Sequence, residues 1–427
     1  MIRSRFPLIA FCMAHCGKSL MWTATDALSL YIVIKIVEIP PVMAGVLFIR
    51  SSLWNAVMDG AWGYCLGRRP GLQRSLPHVS AGAIVVAGMA FAILPVLPPG
   101  STAMAAVALL VFRTSFSLLD VPHNAVAAAL VPAYGHLGIA RWRSLLGAAM
   151  TIAIGLAALP LIAAEGGATT TARLIFCALA ILAMALLAPL PWLVRIAAPG
   201  MGATPPGSDG PVQAGAPSGS LILFCLVQMI GFAALAAMGK TMLHAATLPP
   251  IIAQYSLLLL SVVRLGAISF WMPVAARLGS PTALACAYML SAAAILALPV
   301  TIPLGMASTI LILCLLGTAT GGMALLVWAS VSELVAGEGG NGGAKAARGY
   351  GLFTATSKIG LGISGLMTGA WIGWVGTGVS GGSLWSLAAF AASICCLCAV
   401  LGLVRLGNRG TLLLRKRPDS ECGVASH

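Results

Sequence analysis

The stretch RIAAPGMGATPPGSDGPVQAGAPSGS, residues 195–220, decides how the chain is organised. It is rich in glycine, proline, alanine and serine and poor in large apolar residues, a composition typical of a flexible linker that neither packs nor inserts into lipid. It lies near the middle of a 427-residue chain that is otherwise strongly apolar. The sequence therefore predicts two halves joined by this linker.

The composition of the two halves indicates a membrane protein. Of all residues 59% are hydrophobic and only 8% are charged, with a mean hydropathy of +1.00. A soluble domain is about a quarter charged, so this chain cannot cover itself with a surface that faces water. At the N-terminus, His15 and Lys18 interrupt the apolar stretch and no small-residue cleavage site follows, so we expect it to remain as a membrane span.

Apolar stretches of about 20 residues, long enough to span a bilayer as helices, recur on both sides of the linker. They predict an all-α polytopic membrane protein with twelve transmembrane helices in two six-helix bundles. The expected domains are an N-terminal bundle at 1–194, a cytoplasmic linker at 195–218, a C-terminal bundle at 219–405 and a basic tail at 406–427. The predicted spans are 7–34, 42–66, 77–96, 102–126, 144–164, 172–194, 219–240, 250–274, 282–302, 307–332, 349–374 and 383–404.

The net charge of +14 predicts orientation rather than binding of nucleic acid, because basic residues collect in the cytoplasmic loops of membrane proteins. Only Lys35 and Arg173 fall on one side of the twelve spans. We therefore expect the other side, with both termini, in the cytoplasm and the protein in the plasma (inner) membrane. Sixteen basic residues fall on that side: Arg3, Arg5, Arg68, Arg69, Arg74, Arg141, Arg143, Arg195, Arg277, Lys345, Arg348, Arg405, Arg409, Arg415, Lys416 and Arg417.

Several charged residues lie inside the predicted spans. Each costs at least about 2.5–3.5 kcal/mol there, so such residues face the bundle interior and find partners. They indicate a functional site, the alternatives being structural ion pairs between helices or side chains that reach the interface. Lys240 and Glu333 lie closer to span ends. The charges inside the spans are Lys18, Asp26, Arg50, Asp59, Arg113, Asp120, Arg264 and Lys358.

Helical spacing suggests which of these side chains share a face. Arg113 and Asp120 are seven residues apart, so both can point into one cavity. Asn55 and Asp59 are four apart, a stacked amide and carboxylate able to hold a proton, a sodium ion or a sugar hydroxyl. The indole of Trp54 beside them can stack on a sugar ring, although lipid-facing tryptophans are commoner.

The stretch SLLDVPHNAVAAALVP, residues 117–132, combines a carboxylate, a proline and an imidazole. Pro122 is expected to bend or end the helix beside Asp120, with His123 next in line. This combination suits a site at which a solute or a proton reaches the backbone. The alternative is a helix end that carries a solvated aspartate at the cytoplasmic interface.

Three stretches carry a family resemblance, in order and at matching spacing over nearly the whole chain. They are MAGVLFIRSSLWNAVMDGAWGYCLGRR at 43–69, SLLDVPHNAVAAALVP at 117–132 and GYGLFTATSKIGLGISGLMTGAWIGWVG at 349–376. Together they resemble the glycoside–pentoside–hexuronide:cation symporters, the melibiose-carrier-like branch of the major facilitator superfamily. The resemblance implies Asp59 at the cation site, Asp120 at the sugar site and Lys358 in the central charge network. It also aligns Lys18 with a basic residue of the first span and Glu333 with an acidic residue near the end of span ten.

The chain departs from this family at several positions. The first-span aspartate is replaced by Ser19, and the first carboxylate of the span-two pair by Asn55. A second arginine expected at the start of span five is absent, with Gly147 and Ala148 in that region. Sodium needs several oxygen ligands, so one carboxylate beside an amide favours a proton as the coupling ion.

These arguments predict a secondary active transporter of a sugar or glycoside that works by alternating access and is coupled to a cation, with a proton favoured over sodium. The alternatives are a carrier of lipid-like or amphiphilic solutes, and a membrane sensor or assembly protein that keeps the fold without transport. An enzyme is disfavoured, because the sequence has no HExxH, GxSxG or His/Cys metal cluster.

The expected partners are a small solute, H+ or Na+ and the lipid bilayer, without a cofactor, a metal or nucleic acid, and we expect a monomer. The predicted site residues are Asp120, Lys18, Arg113, His123 and Trp54 for substrate binding, Asp59, Asn55 and Lys358 for cation coupling, and Asp26, Arg264 and Glu333 for the network or gates.

Overall fold

The computed structural model of the protein describes residues 6–68, 70–163, 168–202, 217–244, 250–337, 343–375 and 382–414. The described residues are mostly helical and include no strand. The all-α prediction is therefore confirmed for the described residues. Most of the predicted linker and the last part of the predicted basic tail, 203–216 and 415–427, lie outside them.

The helices follow one another with short connections, apart from the linker between the halves. They are α1 (Phe6–Lys35), α2 (Pro41–Arg68), α3 (Pro70–Ile93), α4 (Thr102–Tyr134), α5 (His136–Ala163), α6 (Ala168–Leu187), α7 (Leu190–Gly202), α8 (Gly219–His244), α9 (Pro250–Leu278), α10 (Ser280–Thr301), α11 (Met306–Gly337), α12 (Gly343–Val375) and α13 (Gly382–Leu414). A single 3-10 turn, Leu94–Val96, extends α3.

The twelve predicted spans correspond to these helices, the sixth being divided. Its predicted range, 172–194, contains the end of α6 and the start of α7, separated at Pro189, which lacks the N–H that a continuous helix needs. Among the described residues, ten segments are long and apolar enough to cross a membrane, and Thr169–Ala197 counts as one of them. The two remaining helices are α1 and α12, which contain the buried Lys18 and Lys358.

The boundary between the fourth and fifth spans differs from the prediction. The predicted end at residue 126 is wrong, because α4 continues through Pro122 and Pro132 to Tyr134. Proline is tolerated inside membrane helices where neighbouring helices and side chains bond the freed backbone groups. The chain reverses at Gly135 alone, at a φ of 72° that favours glycine, and α5 begins at the next residue. Asp120 and Arg143 therefore lie well inside helices rather than at a loop.

Two hydrophobic cores divide the helices into halves at the linker. One core is formed almost entirely by residues of α1–α7 and the other mainly by residues of α8–α13. Helix α7 continues over residues 195–202, the first part of the predicted linker, and α13 continues past residue 405 into the predicted tail. The halves meet where α2 packs along α12 and where α5 packs on α9 and α11.

Glycines allow α2 and α12 to approach closely. A Cβ atom on Gly369 of α12 would lie 2.6 Å from the carbonyl oxygen of Pro41 and 3.0 Å from the Cα of Gly45 on α2. At the other end of the same pair, a Cβ on Gly63 would lie 2.9 Å from the carbonyl oxygen of Ala347. Small residues at such interfaces let membrane helices pack backbone to backbone. This close packing holds the two halves together along one side.

Candidate functional site

A central cavity of about 460 Å³ lies between the two halves. Helices α1, α4 and α5 of the first half and α8, α9, α11 and α12 of the second half line it. This volume falls in the range of about 300–1,000 Å³ typical of small-molecule sites. Its wall combines charged side chains with the aromatic rings of Trp22, Phe116, Phe232, Trp328 and Phe353.

Asp120 lies in the cavity wall, where its carboxylate accepts hydrogen bonds within a buried polar cluster. Its Oδ1 accepts hydrogen bonds from the Nζ of Lys18, at 2.8 Å, and from the Nδ2 of Asn124, at 3.1 Å. Lys18 also donates to the Oδ1 of Asn124 at 3.1 Å. The side chains of Lys18 and Asp120 are both only 7% exposed. Asp120 is therefore buried and paired, which rules out a solvated helix end in this structure.

Lys358 of α12 joins the second half to two carboxylates of the first half. Its Nζ lies 2.5 Å from the Oδ2 of Asp59 on α2 and 3.0 Å from the Oδ2 of Asp120 on α4. The Asp59 side chain is fully buried and that of Lys358 is 4% exposed. The two carboxylates and the lysine thus form one ion-pair network across the interface between the halves.

A second ion pair crosses between the halves on α1 and α8. The Nζ of Lys240 lies 2.7 Å from the Oδ1 of Asp26 and donates to the Oγ of Ser364 at 2.9 Å. Both charged residues line the cavity. Lys240, which the sequence places near a span end, is therefore part of the central site.

Asn55 and Arg113 lie behind the cavity wall rather than in it. The Nδ2 of Asn55 donates to the carbonyl oxygen of Arg113 at 2.8 Å and to the Oγ of Ser117 at 2.7 Å, which ties α2 to α4. The guanidinium of Arg113, only 1% exposed, lies 4.8 Å from the ring centroid of Trp22. The expectation that Arg113 and Asp120 point into one cavity is thus not met, since of the two only Asp120 belongs to the described cavity lining.

Three other predicted residues lie away from the described cavity lining. His123 is fully buried, its ring stacked 4.6 Å from that of Phe11. Trp54 is 43% exposed on the outside of the bundle, and its Nε1 donates to the Oγ1 of Thr114. Glu333 is exposed and accepts a hydrogen bond from Ser280 at 3.3 Å. These positions correct the expectation that the three residues face a central solute or charge network.

Arg143 and Arg264 contribute the two guanidinium groups of the cavity wall. Arg143 is buried; its Nη2 donates to the Oδ1 of Asn124 at 2.8 Å, and its guanidinium carbon lies 3.7 Å from the ring centroid of Trp328. Arg264, predicted for the network, lines the cavity from α9. Sequence reasoning placed Arg143 in a loop, because the start of α5 was set eight residues too late.

The cavity also includes residues that sequence reasoning did not select. Trp22 and Trp328 present their rings to it, and several hydroxyl side chains lie between the charged groups. In an apolar sequence, a tryptophan that faces a cavity gives the same signal as one that faces lipid. Among these residues Lys240 could have been selected from the sequence, because an isolated lysine in an apolar stretch indicates a buried charge that needs a partner.

At one end of the cavity, hydrogen bonds connect the start of α5 with the end of α11. The Nδ1 of His136 lies 2.7 Å from the Oγ of Ser332, and the Oγ of Ser144 donates to the carbonyl oxygen of Ala324 at 2.9 Å. Both bonds join the two halves. Polar contacts therefore join the two halves at this end, which is predicted to be cytoplasmic.

No protein-family model and no curated protein sequence matches the chain. Solved structures do match it. The nucleoside transporter NupG matches with a TM-score of 0.59 at 12% identity, covering 94% of this chain and 99% of that chain. A bacterial homologue of the iron transporter ferroportin, in an outward-facing state with soaked iron, gives 0.66 at 13% identity with the same coverage of 94% and 99%.

The xylose transporter XylE from E. coli, in a partially occluded inward open conformation, gives a TM-score of 0.64 at 13% identity and covers 94% of this chain and 99% of that chain. A second structure of XylE is described as a major facilitator superfamily proton:xylose symporter. At these identities the likeness concerns the fold. The chain therefore has the fold of the major facilitator superfamily transporters, which confirms the predicted twelve-helix architecture.

Proposed function

We propose that the protein is a secondary active transporter that moves a small polar solute across the membrane by alternating access. The observation that carries this proposal is the central cavity, whose wall is shared by both halves and crossed by ion pairs between them. When one half rocks against the other, these pairs separate and reform, so that the cavity opens to one side at a time. The fold of the named neighbours, all transporters, supports the same conclusion.

The charge network also supports transport over the alternative of a sensor or assembly protein. Lys18, Asp59, Asp120 and Lys358 are buried at the interface of the halves, where each charge is costly unless it serves a purpose. A protein that only kept the fold has no need of paired charges around a cavity. We therefore retain the transporter as the leading function.

We infer that the solute is a sugar, a glycoside or a related polyol. The aromatic side chains of the cavity wall suit the apolar side of a sugar ring, and Asp120 and the hydroxyl groups of the wall suit its hydroxyls. The xylose and nucleoside transporters among the neighbours are compatible with this class. The melibiose-carrier-like branch stays a prediction from the three sequence stretches.

A proton is our proposal for the coupling ion. One oxygen of Asp59 and one of Asp120 already face the ammonium group of Lys358, so the charge of the two carboxylates is partly compensated and less of it remains to bind a metal cation. Asp59 Oδ1 and Asn55 Oδ1 are buried and have no hydrogen-bond donor among the described residues, and the two residues are one helical turn apart. A proton on Asp59 would give this carboxyl group a donor of its own inside the buried network.

Uptake into proteoliposomes tests the proposed function. A panel of labelled sugars and polyols is offered with a sodium gradient and a pH gradient imposed separately, and empty liposomes provide the baseline. We expect accumulation of at least one solute above that baseline. Arg50→Gln serves as a control variant. Arg50 is an exposed residue of α2 outside the described cavity lining, so the change should leave uptake as it is in the wild type.

Alternating access is tested independently by fixing one end of the bundle. His136→Cys and Ser332→Cys, introduced into a variant without other cysteines, place two thiols at the contact between α5 and α11. A short bifunctional thiol reagent should then stop uptake by preventing the halves from separating at that end. Undiminished uptake by the fully cross-linked protein would contradict the rocking mechanism.

A further inference from the structure

The charges of the cavity wall do not balance. Two carboxylates, Asp26 and Asp120, face five cationic side chains in the wall. Asp59 and Arg113, which lie behind the wall, add one charge of each sign, so the excess of positive charge is three. The cationic residues of the wall are Lys18, Arg143, Lys240, Arg264 and Lys358.

The lysines take up every carboxylate near the cavity that the structure describes. Asp26 pairs with Lys240, Asp59 with Lys358, and Asp120 with both Lys18 and Lys358. Within the described part of the chain, no ion pair connects a carboxylate with Arg143 or Arg264. The three lysines therefore balance the three carboxylates, and the excess charge lies on three guanidinium groups. Two of them, Arg143 and Arg264, line the cavity, and Arg113 lies behind its wall.

Arg143 is held by neutral groups that orient it without neutralising it. One nitrogen, Nη2, donates to the Asn124 amide oxygen, and the guanidinium plane lies against the Trp328 ring. Its Nε and Nη1 are buried and have no hydrogen-bond partner among the described residues. Although it is only 3% exposed, this arginine keeps two donor nitrogens without an acceptor.

Arg264 projects from the other half and also lacks an acceptor at a buried nitrogen. Its Nε has no hydrogen-bond partner within the described chain, and its side chain lines the cavity. The backbone of Arg264 packs on Gly321 of α11, whereas Arg143 lies against Trp328 of the same helix. These two α11 residues are seven positions apart, about 10 Å along a helix. Both arginines thus line the cavity beside α11, one from each half.

We propose that the transported solute carries an oxyanion, a carboxylate or a phosphate, and that Arg264 binds it together with Arg143. This inference rests on the proposed transport function and specifies its substrate class as an anionic sugar, polyol or similar small molecule. A guanidinium matches the geometry of a carboxylate or phosphate with two parallel hydrogen bonds and remains charged in a buried site. Since the arginines belong to opposite halves, a bound anion between them favours the state in which the halves are close.

Thermal unfolding of the purified protein in detergent tests the anion site. The probes are gluconate against sorbitol, glucose 6-phosphate against glucose, and inorganic phosphate, all adjusted to equal ionic strength with potassium chloride. We expect the anionic probes to raise the melting temperature of the wild-type protein and the neutral ones to raise it less, because only a bound ligand stabilises the folded state.

Arg264→Gln should lose this response, with an affinity for the anions that is roughly tenfold to a hundredfold lower. Arg264→Lys, which keeps the charge but not the forked geometry, should retain part of it. The matched control on the same helix is Arg277→Gln, an exposed residue outside the cavity, which should respond as the wild type does. Without a probe, Arg264→Gln should melt at least as high as the wild type, because it removes an uncompensated charge.

The results separate this inference from the proposed function. The anion site is refuted if no anionic probe raises the melting temperature above the potassium chloride reference, or if Arg264→Gln responds as the wild type does. It is also refuted if Arg264→Gln unfolds at a much lower temperature without a probe, since Arg264 would then be a structural residue. Any of these outcomes, combined with uptake of a neutral sugar that stops on cross-linking α5 to α11, would leave the transporter in place.

Discussion

Asp120→Asn is the substitution that most directly tests the buried charge network. Asp120 accepts from Lys18 at 2.8 Å and from Asn124 at 3.1 Å through one oxygen, and faces Lys358 at 3.0 Å through the other. An asparagine keeps the shape of the side chain and one acceptor oxygen. It removes the negative charge between two buried ammonium groups.

The loss of stability follows from the partners that remain. Removing one partner of a buried ion pair costs about 3–5 kcal/mol, because the other charge stays buried and unpaired. In Asp120→Asn, Lys358 still forms its ion pair with Asp59, and Lys18 still donates a hydrogen bond to the Oδ1 of Asn124 at 3.1 Å. We therefore expect a loss at the lower end, about 3 kcal/mol, mainly from the uncompensated charge of Lys18.

The assay is the melting temperature of the purified variants in detergent. Asp120→Asn should melt several degrees below the wild type. The double variant Asp120→Asn with Lys18→Gln should recover most of the loss, since it also removes the ammonium group that Asp120→Asn leaves unpaired. In a double-mutant cycle the two sites should show a coupling energy of about 1–3 kcal/mol. The carboxylate control is Glu333→Gln, on the exposed face of α11, which should change stability by less than about 0.5 kcal/mol.

Two results would refute this reasoning. If Asp120→Asn melts at the wild-type temperature but no longer transports, Asp120 serves the solute alone and does not stabilise the bundle. If the double variant is no more stable than Asp120→Asn, Lys18 is not the partner that matters. Restoration by Arg113→Gln instead would place the partner on α4 itself.

Three further predictions concern packing, topology and coupling. Gly369→Ala should destabilise the protein by about 1–3 kcal/mol in thermal unfolding, because the new Cβ meets the α2 backbone, whereas Gly82→Ala on α3, where a Cβ meets nothing within 4 Å, should be neutral or stabilising. Equal effects of the two substitutions would contradict close packing of α2 on α12. A reporter fused at residue 210 should be found in the cytoplasm, and an external signal would remove the six-plus-six arrangement in the membrane. Uptake should follow an imposed pH gradient and be insensitive to a sodium gradient, and the reverse dependence would exclude proton coupling.

The sequence anticipated the architecture and part of the central site. Apolar stretches about 20 residues long predict membrane helices almost directly, because backbone polar groups in lipid must be bonded within the helix. The same reasoning marks Lys18, Asp59, Asp120 and Lys358, since each charge in an apolar stretch needs a partner. Boundaries were less certain, as the continuation of α4 through Pro122 shows.

The partners of these charges could not be predicted from the sequence. Asp120 and Arg113 share one helix at a favourable spacing, yet Asp120 pairs with Lys18, 102 residues away, and with Lys358 on the other half. Residues seven apart on a helix share a face, but whether each of them reaches the cavity depends on how the helix is rotated and how deep each residue lies in the bundle. The sequence does not state that rotation.

The sequence by itself determined that the helices are surrounded by lipid, how many spans there are and that several charged side chains must be buried at a cost in free energy. The tertiary structure alone decided which side chains face the cavity: Arg143 and Lys240 do, whereas Trp54 and His123 do not. The physical reason is that lipid is as apolar as the protein interior, so a membrane helix shows little contrast between its inner and outer faces. Its rotation and tilt come from packing against its neighbours, as where Gly45 and Gly369 bring α2 and α12 together.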